Sequence, residues 1–446
     1  MKKNNICNRV SVVTIDLNKG KSETLASFFV DSKDFVQQVI NHIWYQGVGD
    51  FNPSLKQFTS TPKFLDSSFL ETFNTTGIGG MMKQTLGMIA LQQVKSVTEK
   101  LRKKQWFISK IQQKRNKGEV LKEFEKKKLH ELYKDVNTNT LPPVLTNFSI
   151  PISRPDVVRF FTVNKQGDEF SKGNVVLRLS LSGNYGTISI PVVRTKQTNK
   201  LLQNGFVQKL STTTLYSSDK IGLIFQSEKA PFKEEGRVVG ADQGISSVLT
   251  FSDKQVTKNT NNHNQSLSSI LKKLSGKKKG SKSFEKTQDH RKNFINWSIN
   301  QLNFKDVKTV RLEHLKNVGK GHRTSRFLSS WTYPLIKQKL VSLSELEGFQ
   351  IEEVPNKFRS QRCNCCGYVN KKNRKGKTFK CRSCDHIADA DENAASNLEL
   401  CLFKIPFWVF EERLNREGFF WNEEGIFLEE PVISSDKKLD IFITNV

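Results

Sequence analysis

The chain predicts a multidomain α+β fold. A β-rich N-terminal part carries a long helical insertion, and an α/β domain interrupted by a small four-cysteine module follows. Three observations predict this. Hydrophobic spacing switches from alternating to helical and back before residue 230. After Gly236 the apolar runs follow the order strand, strand, helix, strand, helix, strand. Two CxxC pairs then interrupt the pattern between Cys363 and Cys384. At 446 residues the chain exceeds one compact core, so roughly two to four domains are expected.

The elements follow in order. ICNRVSVVTIDL, residues 6–17, alternates and is β-branched, so it reads as a strand. From Asp34 to about Asp135 the spacing is helical, with an apolar stretch over 81–94 and a Lys, Arg, Gln and Glu-rich one over 96–134. Residues 137–143 read as a loop. VVLRLSLS, YGTISIPVV and KIGLIFQS are short strands between Asn147 and Gln226. They predict a small β-barrel or sheet that recruits the first strand and carries the helical block as an insertion.

VVGADQGISSVLTFSD predicts a buried strand, a tight turn at Gln243–Gly244 and an antiparallel second strand. Residues 257–286, polar and Lys-rich, predict a flexible basic connector. An amphipathic helix is expected over 290–304, a strand over 307–315, a helix over 333–347 and a strand from Phe349. This is the element order of an RNase H-like domain. No internal repeat is evident.

Lys plus Arg number 71 against 44 Asp plus Glu, a formal charge of +27. Such self-repulsion is relieved by a polyanion, and nucleic acid is the natural one, because each Lys or Arg set on a phosphate releases condensed counterions. Asn4, Asn5, Asn8 and Arg9 break up any secretory apolar region, and no apolar run reaches the ~20 residues of a membrane helix. A cytoplasmic protein with no membrane partner is therefore expected. Five of the seven cysteines fall between Cys363 and Cys384, which predicts a metal site in a reducing compartment and not a disulfide framework.

Cys363/Cys366 and Cys381/Cys384 form two knuckles that can present four thiolates to one structural Zn²⁺. Cys365 is an alternative to Cys363 or an idle thiol. The intervening NKKNRKGKTFK is a basic hairpin that either faces solvent or touches nucleic acid. Three acids stand at element ends: Asp242 after a buried strand, Glu313 after a second, and Asp391 at the start of a helix. Converging carboxylates suit two Mg²⁺ ions and phosphodiester hydrolysis. Asp389 is a rival for the third position, although helix register favours Asp391. His290 and His314 receive no role. Basic segments 102–134 and 272–292 are candidate backbone contacts. Trp106, Phe107, Phe124 and Tyr133 either pack the helical core or stack on bases.

GADQG, RLEHL, SRFLSSWTYPLIKQKL, SQRCNCCG, FKCRSC and ADADENAASN, in this order, resemble the C-terminal half of TnpB proteins and of the compact type V CRISPR effectors, over roughly residues 236–400. The resemblance implies a RuvC-like nuclease with Asp242, Glu313 and Asp391 as its carboxylates, two Mg²⁺ ions, and a zinc ribbon ligated by Cys363, Cys366, Cys381 and Cys384. It implies an RNA-guided DNA endonuclease that binds a guide RNA, reads a short motif flanking the target in double-stranded DNA and cleaves at one site. The chain would act as a monomer or as a homodimer on one guide RNA.

The implied domains are a split wedge-like β-barrel (1–30 and 141–235) and a helical recognition lobe (31–140). A split RuvC-like domain (236–357 and 388–405) follows, with the ribbon at 358–387. The acidic tail, 406–446, lies outside the shared pattern. The first knuckle, CxCC, departs from it through Cys365. Alternatives are an unguided transposase-associated nuclease and a nucleic-acid-binding regulator without cleavage. An actin-like ATPase would need a second Gly-rich phosphate loop, which the chain lacks.

Overall fold

A computed structural model of the chain describes residues 5–429 except 61–63, 74–76, 122, 139–140, 147, 163–174, 182, 194, 316–326 and 328–331. Residues 325–326 and 328–331 of SRFLSSWTYPLIKQKL and the tail from residue 430 onward thus lie outside the described residues. The fold is a mixed α/β one in two compact units, Met1–Glu228 and Lys229–Val446.

The first unit runs β1 (Ile6–Thr14), α1 (Lys19–Gln46), β2 (Phe51–Asn52), β3 (Gln57–Phe58), α2 (Ser67–Glu71), α3 (Gly80–Asn116) and α4 (Glu123–Thr138). It continues with β4 (Ile150–Ile152), β5 (Val158–Thr162), β6 (Val175–Ser180), β7 (Thr187–Val192), α5 (Lys196–Gln203), β8 (Val207–Ser217) and β9 (Lys220–Glu228). β1 pairs antiparallel with β9 from Ile6↔Glu228 to Thr14↔Lys220, within a sheet of order β1-β9-β8-β4. β5-β6-β7 form a second antiparallel sheet, and a closed barrel is not among the described pairings.

Helix α1 starts behind Asn18, whose side chain accepts from the Lys21 amide at 3.0 Å. It buries Leu25, Phe28, Phe35, Val36, Val39, Ile40, Ile43 and Trp44 in one stripe. The 37-residue α3 buries Met82, Leu86, Ala90, Leu91 and Val94 early, but mainly Leu101, Ile108 and Ile111 later. Trp106 and Phe107 fall outside that thinning stripe and are 55% and 54% exposed. They contact each other edge to face at 5.1 Å, with the Lys110 ammonium 5.1 Å from the Trp106 ring. Of the two sequence expectations for this pair, core packing is not met. Tyr133 is exposed as well, and the Phe124 side chain lies outside the described residues.

The second unit contains β10 (Arg237–Gln243), β11 (Leu249–Phe251), α6 (Leu267–Ser275), α7 (Lys282–Ile299), β12 (Val307–Glu313), α8 (Tyr333–Glu347) and β13 (Gln350–Val354). Then follow β14 (Tyr368–Val369), β15 (Arg374–Lys375), β16 (Thr378–Lys380), β17 (Ile387–Asp389), α9 (Ala390–Glu399), α10 (Trp408–Glu411), β18 (Phe419–Trp421) and β19 (Ile426–Phe427). Its main sheet has the order β11-β10-β12-β13, antiparallel at β10/β11 and parallel at the other two pairings.

Two local expectations are corrected here. The β10–β11 connection is not a two-residue turn, because Gln243 pairs with Leu249 and leaves residues 244–248 as the loop. The flexible connector expected over 257–286 is largely folded. Ser266 and Ser269 form a reciprocal N-terminal cap for α6, which buries Leu267, Ile270, Leu271 and Leu274 beneath its lysines. α7 starts at Lys282 behind its own cap, Ser281.

The acidic segment after residue 405 joins the cysteine module. β18 pairs with β14 (Tyr368↔Phe420, Val369↔Phe419), and β19 extends that sheet. Trp421 is buried, with its indole N–H donating to the Phe403 carbonyl at 2.9 Å. Phe358 stacks on Phe410 at 5.0 Å. Among the described residues no helix is long and apolar enough to cross a membrane.

Candidate functional site

Parallel pairing of β10 with β12 aligns Ala241 with Leu312, so Asp242 and Glu313 are the next residues on neighbouring strands, at one sheet edge. α9 brings the third acid. Its close approach depends on Gly240, where a Cβ would lie 1.9 Å from the Ala395 carbonyl oxygen. No larger residue fits between strand and helix without moving one of them. Asp389 caps α9, accepting from the amides of Asp391 at 2.8 Å and Glu392 at 3.2 Å. Asp391 therefore lies in the first helical turn, while its rival Asp389 is occupied by capping.

Asp242, Glu313 and Asp391 line one cavity of about 510 Å³, together with Gln243, Ser360, Arg374 and Lys377. Sequence reasoning missed the two cations as site residues. The β15–β16 hairpin of the four-cysteine module aims them inward: Arg374 Nη2 is 3.1 Å from Asp391 Oδ1, and the Lys377 ammonium contacts Oδ2. Gln243 was missed too. Both atoms of its buried amide lack a partner among the described residues, a state that costs about 1–3 kcal/mol unless water or a ligand satisfies it.

Burial, and then the charges of Glu313 and Asp391, hold the Asp242 carboxyl well above the usual carboxylate range, against the opposing pull of Arg374 and Lys377. Burial pushes Glu313 from its ordinary 4.5 up to about 7, despite Arg374 and Arg359. Crowded acids that resist ionisation alone are suited to divalent cations, which supply the missing positive charge. The three carboxylates do not close on a single point. Among the described residues, the group whose ligand atoms all converge is the four cysteines.

A pH dependence follows in metal-free protein. The native state holds the Glu313 proton more tightly than the unfolded chain, so this group's stabilising contribution is complete below about pH 4.5. It is lost as pH rises through about 7. In chelator, the difference in melting temperature between wild type and Glu313→Gln should change across that window in this sense. A constant difference from pH 4 to 8 would refute the raised pKa.

In the cysteine module, Cys363 Sγ lies 3.7 Å from Cys384 Sγ, Cys366 Sγ lies 3.6 Å from Cys381 Sγ, and all four sulfurs fall within 4.8 Å of one another. A tetrahedral Zn–S bond of about 2.3 Å implies S···S edges of about 3.8 Å, so the cage fits zinc. Gly367 (φ 83) and Asp385 (φ 54) make the left-handed turn after each knuckle. Cys365 is exposed and outside the cage. Burial pushes the Cys363 thiol up to about 11, a proton that a bound metal would displace.

Two asparagines tie module and helix together. On one face of α9, Asn393 Nδ2 donates to the Arg362 carbonyl at 2.8 Å, and Asn393 Oδ1 accepts from the Asn364 amide at 3.0 Å. Asn397 Nδ2 donates to the carbonyls of Arg362 (2.7 Å) and Arg359 (3.1 Å), and Arg362 Nη1 donates back to Asn397 Oδ1 at 2.6 Å. Arg362 Nε donates to the Trp421 carbonyl at 2.7 Å. The module, the C-terminal strands and the start of α9 thus share one buried polar network. His314 sits beside the cavity strand with Nδ1 2.7 Å from a Glu353 carboxylate oxygen. Tyr333 O–H and Lys337 bond the other oxygen of Glu353.

Residues 333–398 match the family model described as Cas12f1-like, TNB domain. The CRISPR-associated endodeoxyribonuclease Cas12f1 of Sulfoacidibacillus thermotolerans is 34% identical over 118 residues, covering 26% of this chain and 27% of that protein. The RNA-guided DNA endonuclease InsQ of Escherichia coli, so named as a putative activity, is 24% identical over 227 residues, 44% of this chain and 56% of its own. A solved Cas12f1–sgRNA–target DNA complex aligns with 89% of this chain and 99% of its own at TM-score 0.41 and 15% identity. The chain thus spans about a quarter of the Cas12f1 relative and just over half of InsQ. It resembles TnpB-like and compact type V proteins in the stretch that carries the motifs.

Proposed function

We propose that the chain is an RNA-guided DNA endonuclease of the TnpB or compact type V kind, hydrolysing phosphodiester bonds at the Asp242–Glu313–Asp391 cavity. One observation carries the reading: three acids far apart in sequence line a single cavity, whose third member is held by a hairpin of the four-cysteine module. Segment matches to nuclease relatives and the charge of +27 support it.

Asp242, Glu313 and Asp391 would hold two Mg²⁺ ions, which when bound activate water and neutralise the departing oxygen. The chain's own groups do the rest. Burial around Asp242 keeps bulk water from screening the site. The Asp389 cap and the Asn393–Asn397 clamp fix where Asp391 points. Arg374 and Lys377 lie within reach of a phosphate in the cavity and can balance its negative charge. Zn²⁺ on Cys363, Cys366, Cys381 and Cys384 would be structural, with its four ligand positions filled.

In this reading residues 236–357 and 388–405 form a RuvC-like domain around the ribbon at 358–387. Residues 1–30 and 141–235 form the wedge, and 31–140 the recognition lobe. Partners are a guide RNA and double-stranded target DNA.

Sequencing RNA that remains on the purified protein after a high-salt wash tests the guided reading. A discrete RNA with a constant scaffold and a variable end is expected. Magnesium-dependent DNA cleavage by RNA-free protein would instead establish an unguided nuclease.

A further inference from the structure

Outside the cavity, the most unusual charge arrangement lies on the β5–β6–β7 sheet of the first unit. Register places Arg159 on β5 directly opposite Arg178 on β6, and Arg178 opposite Ser189 on β7. Directly paired residues share a face. Val158, Leu177, Leu179, Ile188 and Ile190 are buried on the other face, so both guanidinium groups stand on the outer one. Like charges directly opposite in a ladder destabilise a sheet, so two arginines here weaken the free protein unless an anion joins them.

Among the described residues, no acid on this face neutralises them. Arg159 Nε donates to the Pro155 carbonyl at 3.0 Å, which leaves its terminal nitrogens available. Arg178 has no acidic partner among the described residues. The acid that lines the cleft among the described residues, Asp156, is already bound in a fork by Arg154, with Nε–Oδ1 at 3.2 Å and Nη2–Oδ2 at 2.9 Å. That contact draws the Asp156 pKa below the usual range. Arg159 and Arg178, with Ser180 and Thr187 from the next cross-strand row, line a cleft of about 220 Å³ that also includes Asp156 and Val157. Two uncompensated guanidinium forks with two hydroxyls beside them match a tetrahedral oxyanion.

The geometry points to a phosphodiester-binding subsite here, built from Arg159, Arg178, Ser180 and Thr187, that grips the backbone of a bound nucleic acid. It rests on the nucleic-acid reading above and adds a position that neither the charge total nor the motifs reveal. The same phosphate chemistry occurs in RNA and in DNA, so the test separates the two sources.

The full chain, its Arg159→Ala/Arg178→Ala variant and its Arg159→Lys/Arg178→Lys variant would be titrated at several salt concentrations. The probes are a labelled single-stranded RNA, single-stranded DNA of the same sequence, and the duplex. For the alanine pair, binding of the cognate probe at 0.15 M salt should weaken about tenfold. The log–log salt slope should flatten by about 0.7–0.9, the contribution of the one phosphate that the subsite grips. The lysine pair should retain most of the slope. Loss confined to RNA, or to DNA, identifies the source of the phosphate.

With the repulsion removed, the alanine pair should melt no lower than wild type without nucleic acid. A lower melting temperature would make the arginines structural and overturn the proposal. Wild-type binding with an unchanged slope in the alanine pair would overturn the subsite alone. Wild-type protein that bound none of the probes would remove the nucleic-acid reading itself, and the subsite with it.

Discussion

Replacing Asp242 with asparagine should abolish DNA cleavage while leaving the metal-free protein at least as stable as wild type. The two effects separate because burial and two neighbouring acids already oppose the ionised form of this carboxyl. Asparagine keeps its shape and removes a charge that the folded protein disfavours. Loss of one metal-binding carboxylate removes several kcal/mol of charge stabilisation from the transition state, or about 10³-fold in rate or more. Binding of any co-purified RNA should stay within about threefold of wild type, because in the proposed function the cavity cuts DNA and does not retain the guide. Melting in chelator at pH 8, single-turnover cleavage in magnesium and an RNA titration together check this. Retained cleavage would remove Asp242 from the nuclease site, and a large fall in melting temperature would show that its charge is structural.

Replacing Cys381 with serine should act on both fronts. A structural zinc in a small module contributes about 10–16 kcal/mol of apparent folding energy at neutral pH, so losing one of four ligands should unfold the ribbon locally. The hairpin carrying Arg374 and Lys377 would lose its base, and the Arg362–Asn393–Asn397 network would lose its anchor on α9. Cleavage should fall at least as far as in the Asp242 variant, with the zinc content near zero and an early melting transition. Cys365→Ser, exposed and outside the cage, should keep its zinc, its melting curve and its activity. Full zinc occupancy in Cys381→Ser, or its loss in Cys365→Ser, would reassign the ligands.

Much of the second unit was legible because its signals are local. A CxxC knuckle is a property of four consecutive residues, so spacing favoured the Cys363/Cys366 pair, and the sulfur cage then left Cys365 outside. Strand ends marked Asp242 and Glu313 through the change from apolar runs to turn residues. Helix register favoured Asp391 over Asp389, and the cap made by Asp389 supplies the reason. Where the reading failed, a competing local signal was hidden by composition. The lysines between 272 and 286 masked the Ser266/Ser269 cap and the apolar stripe of α6, which fold the supposed connector. Trp106 and Phe107 suggested core by residue type, yet α3 has too few partners along its second half to bury them.

By itself, the sequence determined which residues could bind metal, where strands end, and a net charge of +27 that suits a polyanion. These follow from ligand chemistry, backbone propensity and net charge, all of which act over a few residues or over the whole composition. Only the tertiary structure decided that Arg374 and Lys377 turn inward onto Asp391 and that Asn393 and Asn397 clamp the ribbon to α9. It also decided that the acidic segment after residue 405 adds strands to the ribbon, and that Arg159 faces Arg178. Each depends on strand register or on a close approach such as that at Gly240. Such pairings join residues whose separation along the chain carries no local signal, so they exist only once the chain has folded.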